Sequence, residues 1–174
     1  MISKKLLRSG MGKAVLVAGL PGAGKSTLGR SLSGALGWRF YDFDHSMPED
    51  FKFKIQSGLV LSAEERKTFL QQVIRDLMAM NEMNVVVVCV LLKDEDRMLI
   101  SNIFDGTVYV ELKCPLEELR RRIALRNNSF FRLETFNALN NLNTPVGIPH
   151  IELDSTKLDL LDTLLKAEQH FLYS

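Results

Sequence analysis

Gly19-Leu20-Pro21-Gly22-Ala23-Gly24-Lys25-Ser26 fits the pattern GxxxxGK(S/T) at every fixed position and is followed by Thr27. Ahead of it, Ala14 to Ala18 is a short apolar run that reads as a strand; behind it, Lys25 to Leu36 carries Leu28, Leu32, Ala35 and Leu36 at helical spacing. The eight residues are therefore the turn between a strand and a helix, a context that a chance glycine turn lacks. Gly19, Gly22 and Gly24 let the backbone curl until successive N–H groups face inward, and the helix N-terminus adds its own unpaired donors and positive dipole end. Such a cradle suits phosphate oxygens. The residues expected to hold a nucleotide are Gly19, Gly22, Ala23, Gly24, Lys25, Ser26 and Thr27. Lys25 would reach the β- and γ-phosphates, and the Ser26 hydroxyl would take a Mg2+ position.

Outward from this loop, strand and helix alternate. Trp38 to Phe43 is a second β-prone run, followed by a loop rich in Asp, His and Pro. From Ser62, Phe69, Leu70, Val73, Ile74 and Leu77 keep the 3.6 period, and Ser62 with Glu65 forms a capping-box signature. Val85 to Leu92 is continuously apolar, as suits a strand buried on both faces at the centre of a parallel sheet. Thr107 to Leu112 is a fourth strand, and Pro115 opens a helix whose Leu116, Leu119 and Ile123 face inward. His150 to Leu153 is a last strand, and Ser155 to Tyr173, with Leu158, Leu161, Leu165 and Phe171, is a closing amphipathic helix. The order predicts an α/β fold, the three-layer sandwich of P-loop NTPases, with a five-stranded parallel sheet and helices on both faces.

With 174 residues, 46% of them hydrophobic and 25% charged, and with no Ser-, Gly- or Pro-rich linker, residues 1–174 read as a single domain whose core needs no disulfide. The 22 Lys+Arg and 21 Asp+Glu leave a net charge of +1, so no global field draws nucleic acid or an acidic membrane. The run Val85 to Leu92 falls far short of the ~20 residues of a membrane helix. Lys4, Lys5 and Arg8 are not followed by the apolar stretch and cleavage site of a signal peptide, and a cytoplasmic location is expected. Cys89 and Cys114 lie in strand-like runs and read as reduced core thiols. His150 and His170 read as structural or solvated. No His/Cys/carboxylate cluster has transition-metal spacing, which leaves Mg2+ arriving with the nucleotide as the expected metal.

A phosphate loop alone does not separate kinases, GTPases and motor ATPases. The chain has no NKxD guanine motif, and its length is short for an oligomeric motor with a sensor region, so a small-molecule or nucleotide kinase is favoured. Phe40-Tyr41-Asp42-Phe43-Asp44 ends the second strand with carboxylates at i and i+2, which point the same way if the chain stays extended. Carboxyl ends of strands are where open parallel sheets bind ligands. Asp42 could then hold Mg2+ through water while Asp44 accepts the proton of an attacking hydroxyl; the competing reading is a solvated Asp-rich turn.

From about Leu16 to Asp154 the sequence resembles the gluconokinases, within the small P-loop kinases that include shikimate kinase. Gly37-Trp38-Arg39-Phe40-Tyr41-Asp42-Phe43-Asp44-His45 parallels the family's GWRFYDGDDxH, and Ser62-Ala63-Glu64-Glu65-Arg66 parallels T-D-E-D-R. Cys89-Val90-Leu91-Leu92-Lys93-Asp94-Glu95-Asp96-Arg97 keeps the Cys, Leu, Lys and Arg of C-S-A-L-K-x-x-Y-R, and Arg122-Ile123-Ala124-Leu125-Arg126 keeps the family's RLxxR. Departures are Ser129 for the family's lid histidine, Arg132 for its proline, Asn137-Ala138 for a Ser-Gln pair, His45 for the second Asp of its DD pair and Phe51 for an Asn. Shikimate kinases share a Phe-x-Asp-x-Asp string like Phe40 to Asp44 but have a glycine triplet where this chain has Val90-Leu91-Leu92.

The resemblance implies a small lid, at about 126–145, into which Arg122 and Arg126 lead and on whose closure they clamp nucleotide phosphates, with Lys25, Asp44 and Arg126 as the catalytic set. Lys93 and Arg97 follow the third strand and Arg66 opens the long helix; together with Asp42 and Asp44 they are the expected acceptor-binding residues, although a surface salt-bridge reading competes for Lys93 and Arg97. The activity so implied is ATP- and Mg2+-dependent transfer of the γ-phosphoryl group to a hydroxyl of a small anionic acceptor, gluconate first, by a monomer or homodimer. Two other readings remain at this stage: a kinase of this fold with another acceptor, such as a different small acid or a polynucleotide 5′-hydroxyl, and a nucleotide-binding regulator whose acceptor site has decayed.

Overall fold

The computed structural model describes residues 11–80, 83–125 and 132–173. Strand β1 (Lys13–Ala18) leads into helix α1 (Lys25–Leu36), and β2 (Arg39–Asp42) into two short helices, α2 (Phe43–Ser46) and α3 (Glu49–Gln56). The long α4 (Ala63–Ala79) precedes β3 (Val85–Cys89), then α5 (Asp94–Ser101), β4 (Gly106–Lys113), α6 (Leu116–Ala124), α7 (Leu133–Leu142), β5 (Ile151–Asp154) and α8 (Leu160–Tyr173). The five strands are parallel, in the order β2-β3-β1-β4-β5.

Successive strand residues point to opposite faces, so runs apolar at every position feed two cores. Val15, Val17, Val86, Val88, Val108 and Val110 meet Leu28 and Leu32 of α1 and Leu119 and Ile123 of α6 on one face. Ala14, Leu16, Val85 and Val87 meet Phe69, Leu70, Val73, Ile74 and Leu77 of α4 on the other. This is the expected three-layer sandwich. Helix α1 lies hard against β3, because a Cβ on Gly29 would sit 2.4 Å from Cγ2 of Val88. The capping box of α4 forms in both directions: Glu65 N–H donates to Ser62 Oγ at 3.2 Å and Ser62 N–H to Glu65 Oε2 at 2.6 Å.

Several expected boundaries move. Strand β1, not β3, is the middle strand, with β3 and β4 on either side; a doubly buried run looks the same in either place. Strand β3 stops at Cys89 because its partner β1 ends at Ala18, in register with Cys89, and leaves Val90 to Leu92 without a ladder. The region expected to be a loop after β2 is instead α2 and α3. Pro115 is the residue before α6, and Leu116 is exposed while Leu119 and Ile123 are buried. The last helix starts at Leu160, after Asp159, whose Oδ1 accepts the N–H groups of Leu161 and Asp162. It buries Thr163 and Ala167 and leaves Leu161 66% exposed, so the expected inward leucine stripe faces outward.

Of the expected lid, residues 126–131 lie outside the described residues. Helix α7 is docked on the body: Phe136 is fully buried, and Thr135 Oγ1 donates to the carbonyl of Ile55 at 2.9 Å. Among the described residues no helix is long and apolar enough to cross a membrane.

Candidate active site

The loop between β1 and α1 closes on Gly24, the N-cap of α1, at φ +92°, a conformation that residues with a Cβ rarely adopt. The N–H groups of the first helical turn are thereby left facing the loop. Lys25 is buried and folds back over this loop, donating from Nζ to the carbonyl of Leu20 at 3.1 Å. Ala23 is buried beneath the loop, and Thr27 is exposed.

The carboxylate of Asp42 joins this loop to the end of β2. Its Oδ2 accepts the hydroxyl of Ser26 at 3.0 Å, and its Oδ1 accepts the backbone N–H of Asp44 at 3.1 Å. That second bond caps α2 and ends the strand, which corrects the expectation of two carboxylates aligned on an extended chain. Asp44 instead comes round on a helical turn. Burial holds its carboxyl above the usual carboxylate range, with Lys25 opposing the rise and Asp42 adding to it. His45 stands 3.8 Å from Asp42 and is largely exposed. The Ser26 hydroxyl and the Asp42 carboxylate are hard oxygen donors meeting at one point, a set that fits Mg2+.

Beside Asp44 opens a cavity walled by α2, α3, α4, α7 and the residues that leave β3. Arg66 is on its wall, with NH1 donating to the carbonyl of Leu61 at 3.1 Å. Lys93 is not on that wall; its backbone carbonyl accepts the N–H groups of Asp96 and Arg97 at the start of α5. Arg97, expected to meet an acceptor, is 1% exposed. Its guanidinium donates to the carbonyls of Leu91, Leu92 and Pro145, to Thr144 Oγ1 and to Asn143 Oδ1, and Asp94 lies 3.5 Å away. Its planar fork of donors is spent on fixing residues 143–145 against the β3 exit, so its role is architectural. Asp96 was missed from the sequence. It shares the cavity wall with Arg66, and the signal was its place one residue before Arg97 on the first turn of α5, which turns it toward a different neighbour.

On α6, Arg122 donates from Nε to Glu118 at 2.8 Å and from NH1 to the carbonyl of Gly22 and to Ser155 Oγ, both at 3.3 Å. A cation thus rests on the phosphate loop from a helix a hundred residues away. Arg120 and Arg121 pair with Glu117 and Glu118 on the surface. Arg126 lies outside the described residues. Cys89 is a buried free thiol, pushed up to about 12 by that burial, and Cys114 falls just past β4 rather than within a strand.

At the sheet edge the fold gathers a His/carboxylate group that sequence spacing does not show. The β4–β5 register sets Glu111 opposite Glu152, and His150 joins them with ligand atoms within 4.8 Å of one another. The Lys113 ammonium stands 2.9 Å from Glu111 Oε2 and 3.8 Å from Glu152, so a protein cation already takes the position between the carboxylates.

The family model for shikimate kinase matches residues 21–141. A shikimate kinase of Neisseria meningitidis serogroup C is 34% identical over 123 residues, covering 67% of this chain and 68% of that protein. A probable gluconokinase of Dictyostelium discoideum is 30% identical over 125 residues, covering 67% of this chain and 62% of that protein, so the match spans less than two thirds of that relative's length. Among solved structures, an unliganded sugar kinase from Janibacter sp. superposes with a TM-score of 0.79 at 21% identity, over 92% of this chain and 94% of that one, a likeness of fold. Since the family model takes in the phosphate loop from Pro21, Asp42 and Asp44, and all of the cavity wall but Leu142, the chain belongs to the shikimate kinase family of small P-loop kinases, and it also resembles gluconokinases.

Proposed function

We propose that this protein transfers the γ-phosphoryl group of ATP to a hydroxyl of a small molecule. The observation that carries the reading is the continuous chain from Ser26 in the phosphate loop through the Asp42 carboxylate to the backbone of Asp44 at the cavity mouth. It puts donors for phosphate, a place for a hard cation and a basic carboxylate within one hydrogen-bonded unit.

The loop N–H groups and Lys25 hold and neutralise the β- and γ-phosphates, with Lys25 exchanging the Leu20 carbonyl for phosphate oxygen. Ser26 and Asp42 would hold Mg2+, which would supply positive charge against the charge of the phosphates. Asp44 orients the acceptor hydroxyl and takes its proton as the oxygen bonds to phosphorus and ADP leaves. Arg122, already on Gly22, supplies positive charge to the phosphates as the transition state forms, and Arg126 is proposed to join it. The names of several relatives put a sugar acid, gluconate, first among acceptors to try.

The test is a coupled ADP-release assay with and without Mg2+ and with a panel of hydroxyl compounds. Acceptor-stimulated, Mg2+-dependent ADP release supports the reading. Tight ATP binding with no release for any acceptor would instead indicate a nucleotide-binding regulator.

A further inference from the structure

Glu111 of β4 and Glu152 of β5 stand opposite each other in the parallel register, on the far side of β1 from Asp42. Strand alternation turns Glu111 away from the face whose core takes its neighbours Val110 and Leu112, and it is left 6% exposed. A carboxylate buried so deeply needs a partner to offset its lost hydration. Among the described residues its Oε2 has no partner in hydrogen-bond geometry. Lys113 Nζ comes within 2.9 Å of that atom but off that geometry, and its side chain is half exposed on a flexible stem.

His150 completes the group. Its Nδ1 stands 2.9 Å from the carbonyl of Ile148, which can only accept, so Nδ1 carries a proton and Nε2 is the nitrogen turned to the cluster. Nε2 is 3.9 Å from Glu111 Oε2, too far for a hydrogen bond, and one ligand atom from each of Glu111, His150 and Glu152 lies within 4.8 Å of the others. An imidazole held by a backbone carbonyl at its other nitrogen is the common setting of a metal-bound histidine. Ligands about 2.0–2.2 Å from one ion stand roughly 3–4 Å apart, a contraction that the exposed Glu152 side chain can make. Mg2+ and Ca2+ take oxygen ligands, whereas one imidazole with two carboxylates suits Zn2+.

We propose that Glu111, His150 and Glu152 form a Zn2+ site, with water in the remaining position, and that Lys113 is the resident cation the ion displaces. Strand β5 has four residues, pairs with β4 alone and leads into Ser155, whose Oγ accepts from the same Arg122 that rests on the phosphate loop. An ion shared by Glu111 and Glu152 pins this edge strand to the sheet. Its role is structural, and it is separate from the Mg2+ expected at Ser26 and Asp42.

The test is Zn2+ binding to the full chain without an affinity tag, with Mg2+ in excess to fill the Ser26–Asp42 pair, read by titration calorimetry and by the rise in Tm. One Zn2+ per chain and a raised Tm are expected. Glu152→Gln, a change on the exposed rim, and His150→Ala should each weaken binding by roughly 10²-fold, the upper end of the range for partners one step further from a metal. Lys113→Met should strengthen it a few-fold, the worth of a half-exposed ion pair. Melting of each variant without Zn2+ separates a lost ligand from a lost fold. Zn2+ binding at wild-type affinity in both Glu152→Gln and His150→Ala would place the ion elsewhere, at His45 or Cys114, and overturns the proposal, as does the absence of Zn2+ binding at micromolar concentration. Weaker binding in Lys113→Met overturns the displacement of Lys113.

Discussion

The hydroxyl of Ser26 donates to Oδ2 of Asp42 at 3.0 Å, tying the first turn of α1 to the end of β2. Neither residue is near the other in sequence, and the bond exists because β3 lies between β1 and β2 and sets both strand ends at one level.

From this pair we expect Ser26→Ala and Asp42→Asn each to raise the Mg2+ concentration needed for half-maximal turnover. Because they act on one ion, the double variant should fall short of additivity by about 0.5–3 kcal/mol, the range for residues in contact. Independent effects in a double-mutant cycle of Mg2+ titrations would separate the two roles.

Lys25→Ala should fold, since its ammonium serves the loop and not the apolar core, while turnover drops by roughly 10²–10³-fold, as for other lost transition-state donors. Circular dichroism melts beside ADP release check both halves. An active variant would refute the phosphate-loop assignment.

Asp44→Asn keeps shape and removes basicity, so single-turnover transfer should slow by roughly 10²–10⁴-fold. Its stability should move the other way. Burial raises the Asp44 pKa in the folded chain, so between the ordinary carboxylate pKa and the raised value the fold binds the proton more tightly than the unfolded chain does. Stability therefore falls as pH climbs through that window, and above it the ionised buried carboxylate is a standing cost. At neutral pH Asp44→Asn should melt above wild type, and the two should converge below the ordinary carboxylate range. Melting curves from acid to neutral pH decide this.

Arg97→Ala should destabilise the fold by about 1–3 kcal/mol, because its removal leaves the buried Leu91 carbonyl without its donor and releases the 143–145 segment. Arg97→Lys should restore little, since one ammonium cannot span acceptors on both sides of a planar fork. Urea midpoints measure it. If Arg97→Ala left the midpoint in place and raised only the acceptor KM, Arg97 would be an acceptor contact after all.

What the linear order of residues determined was everything carried by local chemistry. Gly24-Lys25-Ser26 after an apolar run specified loop and helix, Ser62 and Glu65 specified a capped helix start, and the unbroken Val85 to Cys89 run specified a strand with two covered faces. Backbone curl, capping and side-chain alternation act within a few residues, so they can be read along the chain. Tertiary structure alone decided the rest. Which strand sits in the middle depends on crossovers, and where β3 ends depends on where β1 ends. Whether Arg97 meets a ligand or the chain itself depends on the segment 143–145 arriving from some fifty residues away, and adjacent Asp96 and Arg97 part company because successive helical positions are turned about a hundred degrees. The sequence marked a row of cations for an acid; the packing spent one of them on carbonyl oxygens, left another off the wall and lined the cavity with leucine and phenylalanine.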